Sequence, residues 1–309
     1  MNCQQVGTGK SMDELRRGWA NGFIGVVIFA GSLPATRAAV KDLDPLFLTS
    51  ARATIAASLA LAVLLVLRQR RPRGADLSSL AVVAGGAVVG FPLLTALALR
   101  HASAAHSMVF IGLLPSCTAT FGVIRGGERP RPAFWLFSVM GSACVAGYAL
   151  RGGLRGALSG DGLMLTAVGV CGLAYAEGAR LSRHLGGWQV ISWALLLALP
   201  VMLPVTLITM PVSFAQVGAP AWLGLAYVSL FSMLIGFIFW YRGLAQGGIA
   251  AVSQLQLLQP FFGLALAALL LHERVSAMML VATLGTVSCV AGARKFAGVP
   301  RRSAVVAGA

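Results

Sequence analysis

Apolar runs long enough to cross a membrane recur along nearly the whole chain, and they restrict its fold more than any other feature. About twenty consecutive apolar residues in a helix span the roughly 30 Å of bilayer hydrocarbon. Strands that cross a membrane alternate apolar and polar residues, and these runs do not alternate. We therefore predict an integral membrane protein made of helices, with the lipid bilayer as its solvent.

The composition supports the same conclusion. Hydrophobic residues make up 58% of the chain and charged residues 11%, whereas a soluble domain carries roughly 45–50% and about 25%. A soluble fold of 309 residues would have too few polar side chains to cover its surface.

Charged residues and Gly or Pro breaks divide the apolar sequence into ten segments, so the predicted fold is an all-α membrane protein of ten transmembrane helices. The segments are residues 18–38, 46–67, 79–99, 105–124, 133–150, 161–182, 189–210, 220–242, 249–270 and 277–296. Residues 1–17 and 297–309 remain as polar tails.

The net charge of +15 comes from basic residues in the connecting loops, and no continuous soluble face carries it, so we expect no nucleic-acid partner. Lys and Arg are normally in excess on the cytoplasmic side of a membrane protein. One side of the predicted topology receives most of them, including the tail residues Lys10, Arg294 and Arg301. Both termini are therefore predicted to be cytoplasmic.

Metal and cofactor chemistry have no motif in this chain. The five cysteines lie mostly inside apolar runs without paired spacing, which is typical of small packing residues. The four histidines show no metal-ligand spacing. We predict no disulfide, no metal site and no cofactor.

Shifting the chain by 145 residues superposes its two halves on three landmarks, which indicates an internal duplication. Pro115 falls on Pro260, the pair Glu128 and Arg129 falls on Glu273 and Arg274, and the segment Cys144–Gly147 falls on Cys289–Gly292. Residues 18–150 form the first predicted repeat and residues 160–296 the second. Because each repeat holds five spans, an odd number, the second must enter the membrane in the opposite direction, as in many secondary transporters.

These landmarks resemble the EamA-type members of the drug/metabolite transporter superfamily, over residues 18–296. In that family each repeat ends its fourth helix with a Gly-Glu-Arg-like corner, matched here by Gly127-Glu128-Arg129 and by His272-Glu273-Arg274. An arginine near the start of the second helix is matched by Arg52, and an Ala-Leu-Arg segment ending the third helix by Ala98-Leu99-Arg100.

The resemblance implies a ten-helix carrier with a central cavity between its halves, usually an exporter of amino acids or other metabolites in the inner (plasma) membrane of a bacterium. The chain departs from the family at one position. The residue before the ninth-helix proline is often acidic in relatives and is Gln259 here, so the resemblance does not extend to a substrate preference.

Pro115 and Pro260 are the predicted helix breaks and gating positions. A proline inside a helix removes one hydrogen bond and displaces the carbonyl four residues earlier, here those of Ile111 and Gln256. Breaks at matching positions of two repeats are typical of a transporter binding site. The alternative is a kink that only improves packing.

The ninth segment is unusually polar for a membrane span. Ser253, Gln256 and Gln259 recur every three residues and share one broad face, and amides in hydrocarbon need partners from another helix or from a wet cavity. We predict that they line the substrate cavity, although hydrogen bonding between helices would also explain them.

Two ionisable residues within the spans are further candidates. Glu177 is the one acidic residue well inside a predicted span, and it either binds a substrate ammonium, exchanges protons or pairs with Arg180 one turn later. Arg52 either binds a substrate carboxylate or extends to the membrane surface.

Aromatic residues Tyr175, Trp240 and Tyr241 either line the cavity or anchor helix ends at the interface. The spacing of Gly18 and Gly22 suits a close helix contact, either in a homodimer or within the bundle.

These features predict a secondary transporter of small molecules, and an exporter of amino acids or related metabolites is the leading hypothesis. A passive channel or a membrane sensor is the first alternative. An intramembrane enzyme is a weaker one, because the spans offer no paired acids and no nucleophile with its base.

Overall fold

A computed structural model of the chain describes residues 12–69, 71–126, 131–151, 160–294 and 296. Helices joined by short turns make up these ranges, which contain no β-strand. The α-helices are α1 (Met12–Ala30), α2 (Ser32–Ala39), α3 (Pro45–Val66), α4 (Gly74–Val83), α5 (Phe91–His101), α6 (Ala104–Ile111), α7 (Leu114–Gly126), α8 (Pro132–Arg151), α9 (Gly160–Ser182), α10 (Gly187–Ile208), α11 (Ala219–Tyr227), α12 (Gly236–Gly247), α13 (Ile249–Ser253), α14 (Gln259–Leu271) and α15 (Ala277–Arg294). A π-helix joins α4 to α5 (Ala84–Gly90), another joins α11 to α12 (Val228–Ile235), and a 3-10 helix joins α13 to α14 (Gln254–Leu258).

Seven helical stretches in the described residues are long and apolar enough to cross a membrane. They are Arg16–Ala39, Pro45–Val66, Gly74–His101, Ala104–Arg125, Gly160–Ser182, Gly187–Ile208 and Ala219–Gly247. In the three remaining predicted segments the apolar helices are shorter: Pro132–Gly141, Leu255–Leu271 and Ala277–Cys289. The chain is a multi-pass, helical membrane protein.

The first predicted segment, residues 18–38, corresponds to the helical stretch Arg16–Ala39, and the structure adds two details to it. Its helix begins at Met12, and Asp13 and Glu14 in the first turn are favourable at the positive end of the helix dipole. It is then interrupted at Gly31, and α2 begins at Ser32. The hydroxyl of Tyr227 donates a hydrogen bond of 2.7 Å to the carbonyl of Ile28 and packs against Gly31, so it occupies the space that a side chain would need there.

The helix boundaries repeat along the chain with the same offset of 145 residues. Helix α4 begins at Gly74 and α11 at Ala219, and α7 and α14 correspond at both ends. The two π-helices also lie at corresponding places. The sequence landmark at Glu128 and Arg129 falls outside the described residues. The matching positions of the helix breaks show the repeat without it.

Helices of the first half pack against helices of the second along one interface, which we call the seam. Helix α1 of the first half runs along α12 of the second, and α9 of the second half packs against α4, α5 and α7 of the first. Helix α3 pairs with α10, and α8 pairs with α15. Corresponding helices thus meet one another or exchange partners, which is the pattern of a two-fold relation between the halves.

The contact between α1 and α12 depends on glycine at several positions. A Cβ added at Gly18 would lie 2.5 Å from the nitrogen of Gly247, and one added at Gly243 would lie 2.6 Å from the nitrogen of Gly22. No side chain fits between these backbones. Because this packing within the chain occupies Gly18 and Gly22, their spacing gives no support to a homodimer.

Candidate functional site

A small cavity lies at the seam between the two halves. It is lined by Phe29, Ser32, Leu33, Arg52, Ala87, Phe91, Pro92, Leu114, Tyr175, Ser232, Phe237 and Gln259. Its free volume is about 20 Å³, which is room for about one water molecule. In this conformation the site is therefore nearly closed, and a larger molecule enters only if the halves move apart.

Three pairs of equivalent positions contribute to the lining of this cavity. Ala87 corresponds to Ser232, Pro92 to Phe237 and Leu114 to Gln259, each pair 145 residues apart. A cavity lined by both members of such pairs lies where the two repeats meet through equivalent positions. This is the location at which transporters with inverted repeats bind their substrates.

The only charged side chain in the lining is Arg52, on α3. Only 5% of the residue is exposed. Its Nη2 donates a hydrogen bond of 3.3 Å to the Ser232 hydroxyl, which in turn lies 2.7 Å from the hydroxyl of Ser32. Its Nε has no hydrogen-bond partner among the described residues. The guanidinium thus points into the molecule, which argues against the alternative that it extends to the membrane surface.

Ser253, Gln256 and Gln259 of the ninth predicted segment are all buried, but only one of the three reaches the cavity. Gln259 lines it, with Nε2 donating to the Phe29 carbonyl at 3.4 Å and Oε1 left without a partner among the described residues. Gln256 and Ser253 lie deeper and are fully buried. Side chains three residues apart are eclipsed in a 3-10 helix, so the segment Gln254–Leu258 keeps this polar face continuous.

Both candidate prolines lie where the helix is interrupted. Pro115 is in the first turn of α7 and Pro260 in the first turn of α14, a position at which proline fits without loss of a helical hydrogen bond. The expectation of a free Gln256 carbonyl is wrong, because the 3-10 turn lets the Gln259 N–H reach it. The residues just before the prolines, Leu114 and Gln259, are the ones that line the cavity.

An aromatic cluster forms one wall of the cavity. The rings of Phe29, Tyr175 and Phe237 line it, with centroids 5.0 Å apart for Phe29 and Phe237 and 5.9 Å apart for Tyr175 and Phe237. Trp240 and Tyr241 are fully buried and pack behind Tyr175, with centroids 5.6 and 6.4 Å from its ring. This burial argues against interface anchoring by the three predicted residues.

Glu177 is fully buried in a cluster of donors at one end of the seam. Its carboxylate accepts hydrogen bonds from Ser79 at 2.5 Å, from Arg180 at 2.5 Å and from two nitrogens of Arg125 at 3.3 Å. Charge-assisted hydrogen bonds of this kind stabilise the ionised carboxylate. The geometry favours the ion-pair interpretation of Glu177 over proton exchange, and it joins α9 of the second half to α4 and α7 of the first.

A second polar cluster closes the other end of the seam. Helix α14 ends at His272, whose left-handed backbone (φ +52°) turns Glu273 back towards α6. There the carboxylate accepts hydrogen bonds from the N–H groups of Ala104 and Ala105 at 3.2 and 2.9 Å and lies 3.8 Å from Arg37. All three partners belong to the first half, so this contact also crosses the seam.

Two histidine–aspartate pairs accompany these clusters. His106 lies 2.7 Å from Asp161 beside the Glu273 cluster, and His184 lies 3.0 Å from Asp76 beside the Glu177 cluster. Asp161 and Glu177 are sixteen residues apart on α9, which corresponds to about 24 Å along a helix. The seam therefore has inter-repeat ion pairs at both ends, with the cavity between them.

The serines and phenylalanines of the cavity lining were not among the residues predicted from the sequence. Ser232 lies in a π-helix and Ser32 follows the break at Gly31, and neither interruption leaves an obvious mark in the sequence. The offset of 145 would have found part of the set, because Ser232 and Phe237 correspond to lining residues of the first repeat.

The polar groups of the cavity are distributed unequally between the repeats. The position equivalent to Arg52 in the second repeat is Leu197, which is 42% exposed on the outside of α10. The first repeat contributes the guanidinium, whereas the second contributes Ser232 and Gln259.

A family model describes this architecture. The EamA-like transporter family model matches the chain twice, over residues 16–149 and 158–293. The chain belongs to the EamA-like transporter family. The two matches coincide with the two halves that exchange helices, so the EamA two-repeat architecture is present, and members of this family are transporters and not enzymes.

Curated relatives agree with the family. An uncharacterized transporter of Bacillus subtilis, YdeK, is 63% identical over 93% of this EamA-like chain and 100% of its own length. A probable terminal-alkyne amino-acid exporter of Streptantibioticus cattleyicolor is 26% identical over 80% of this chain and 83% of its own. A solved crystal structure with 20% identity covers 91% of this chain and 97% of its own with a TM-score of 0.66, and it supports the fold alone.

Proposed function

We propose that this EamA-like protein is a secondary transporter that exports small organic metabolites by alternating access. Amino acids or related compounds are the favoured substrates. In this proposal ten helices cross the plasma membrane of a bacterium, the two repeats have inverted topology, and both termini are cytoplasmic. Substrate binds in the cavity at the seam, with Arg52, Tyr175 and Gln259 in contact with it and Gln256, Ser253, Trp240 and Tyr241 behind them.

One observation carries the proposal: a cavity lined by equivalent positions of both repeats, with inter-repeat ion pairs at each end of the seam. Alternating access requires the two ends to open in turn around a fixed site. Breaking the Glu273 contacts opens one end while the Glu177 contacts hold the other closed, and the reverse step exposes the cavity on the opposite side. The printed name of the Streptantibioticus relative adds support for an amino-acid substrate.

A passive channel is less consistent with the same observation. A channel needs a continuous path in at least one state, and the cavity described here holds about one water molecule. Saturable exchange of substrate distinguishes a carrier from a channel, because a channel shows no counterflow.

The decisive experiment is counterflow in proteoliposomes made from the purified protein, without ATP. Vesicles loaded with an unlabelled amino acid are expected to take up the labelled compound transiently against its gradient. We expect Gln259→Ala to reduce this uptake strongly, because the amide lies in the cavity lining. Gln216→Ala, at an exposed loop position, is the matched control and should retain the wild-type rate. A folded protein that exchanges no member of a broad metabolite panel would disprove the proposed function.

A further inference from the structure

We propose that the substrate carries a single carboxylate, which the Arg52 guanidinium binds, on a small apolar body. This inference rests on the proposed function and specifies its substrate class. The recognition element is the guanidinium together with the Ser232 hydroxyl, and the aromatic wall receives the rest of the molecule.

The buried charge of Arg52 is the first argument. Its guanidinium is almost wholly removed from solvent, and no ion pair joins it to a carboxylate in the part of the chain that the structure describes. By contrast, Arg125 and Arg180 share the Glu177 carboxylate. An ion buried without a counter-charge is costly, and intramembrane charges commonly mark a substrate pathway. A substrate anion supplies the missing counter-charge.

The surrounding backbone favours the same sign of charge. Helix α7 begins beside the cavity at Leu114, whereas α14 continues from a 3-10 turn in which the Gln259 N–H is already bonded to the Gln256 carbonyl. The N-terminal end of a helix carries partial positive charge, and interrupted helices of transporters commonly direct these ends at anionic groups of the substrate. The lining contains no Asp or Glu that would compete for the guanidinium.

The site suits one negative charge of planar geometry. A single guanidinium neutralises a carboxylate, whereas a phosphate dianion would leave an excess charge in a buried site. The planar guanidinium also matches the two oxygens of a carboxylate through parallel hydrogen bonds. The unpartnered Nε and the Nη2 that now binds Ser232 are the atoms available for this purpose.

The aromatic wall opposite Arg52 favours an apolar group in the part of the substrate that is not the carboxylate. The rings of Phe29, Tyr175 and Phe237 offer an apolar surface, and the free Oε1 of Gln259 accepts one further hydrogen bond. An apolar α-amino acid satisfies all three features, with its ammonium at Gln259. An apolar carboxylic acid without the ammonium satisfies two of them and should still bind.

The test compares three compounds that share one branched apolar body. L-leucine carries a carboxylate and an ammonium, isocaproate carries the carboxylate alone, and isoamylamine carries the ammonium alone. We expect leucine and isocaproate to raise the melting temperature of the purified protein by several degrees, and isoamylamine to leave it unchanged. Binding to the folded state alone produces such a shift.

Variants identify the group responsible. Arg52→Gln should abolish the shift with both acids, and Arg52→Lys, which keeps the charge and loses the planar fork, should weaken it. Arg242→Gln, which removes an exposed arginine, is the control and should respond like the wild type. Melting of the unliganded Arg52→Gln protein at or above the wild-type temperature would show that it is folded.

The outcomes separate this inference from the proposed function. Acids that shift the melting temperature without any counterflow would refute the transporter and leave the carboxylate site intact. Counterflow in which isoamylamine competes as well as isocaproate, or an Arg52→Gln protein that still responds to the acids, would refute the carboxylate site and leave the transporter intact. The inference is also wrong if no apolar carboxylic acid shifts the wild-type protein.

Discussion

The carboxylate of Glu273, just after α14, accepts a hydrogen bond of 2.9 Å from the backbone N–H of Ala105, in the first turn of α6. One repeat thus adds to the capping of a helix of the other, whose own N-cap residue Ser103 accepts a hydrogen bond from the His106 N–H. A carboxylate at a helix N-terminus satisfies free N–H groups and interacts favourably with the helix dipole. The contact holds one end of the seam closed.

Replacing this carboxylate should open that end. We expect Glu273→Ala to lower the free energy of unfolding by about 1 kcal/mol, the usual cost of losing a cap. It should also increase the rate at which a water-soluble thiol reagent labels Ser32→Cys in a background without native cysteines. The control is Asp44→Ala, which removes the cap of α3 without affecting a contact between repeats. It should cost a similar free energy and leave labelling unchanged; equal labelling in the two variants would contradict the assignment of Glu273 to the seam.

At the other end of the seam, Glu177 and Arg125 should be energetically coupled. Because the carboxylate is fully buried, whereas water screens the arginine side chain, which is 47% exposed, we expect a favourable coupling in a double-mutant cycle of Glu177→Gln and Arg125→Gln, larger than that of a pair exposed on both sides. Thermal or denaturant unfolding in detergent measures it. The pair Asp44 and Arg100, 3.7 Å apart and half-exposed on both sides, should show less than about 1 kcal/mol. If the two substitutions changed the free energy of unfolding additively, the pair of Glu177 and Arg125 would not hold this end of the seam closed.

The glycine contact between α1 and α12 gives a stability prediction. Gly243→Ala places a methyl group against the backbone of α1, so the helices must separate, and we expect a loss of about 1–3 kcal/mol. Gly169→Ala on α9, where an added Cβ meets nothing within 4 Å, should be neutral or should stabilise the protein by up to about 1 kcal/mol. Melting temperatures of the two variants, measured side by side, test this difference in stability. A Gly243→Ala protein as stable as Gly169→Ala would disagree with the packing described.

The inverted topology predicts the location of equivalent loops. Positions 72 and 217 are 145 residues apart and lie in the loops before α4 and α11. Reporter tags inserted there should report opposite sides of the membrane, with position 72 in the cytoplasm. Tags found in one compartment would exclude inverted repeats.

Much of this architecture can be predicted from the sequence, because hydropathy determines where helices form in lipid. The duplication was also visible, since Pro115 and Pro260 fix its register and the helix breaks follow it. The break at Gly31 was not visible, because it accompanies a contact that only the fold brings together, that of the Tyr227 hydroxyl with the Ile28 carbonyl.

The candidate site was only partly predictable. Polarity inside an apolar span identifies Arg52, Gln259 and Glu177, but it does not distinguish a cavity from a contact between helices. That distinction depends on which helices of the two repeats meet. The sequence pattern thus identified Glu177 without its Arg125 partner, and it left Trp240, which is fully buried, open between cavity lining and interface anchoring.

The two repeats differ at one position of the site, Arg52 in the first and Leu197 in the second, and this difference has a consequence for the transport cycle. Two identical repeats would offer the same anchor from either side, and a bound molecule could be held in either of two orientations. With the guanidinium on α3 alone, the acidic end of the substrate keeps one attachment point while the exit changes sides. Passage then requires the protein to reorient around a stationary substrate, and the substrate has no need to turn over.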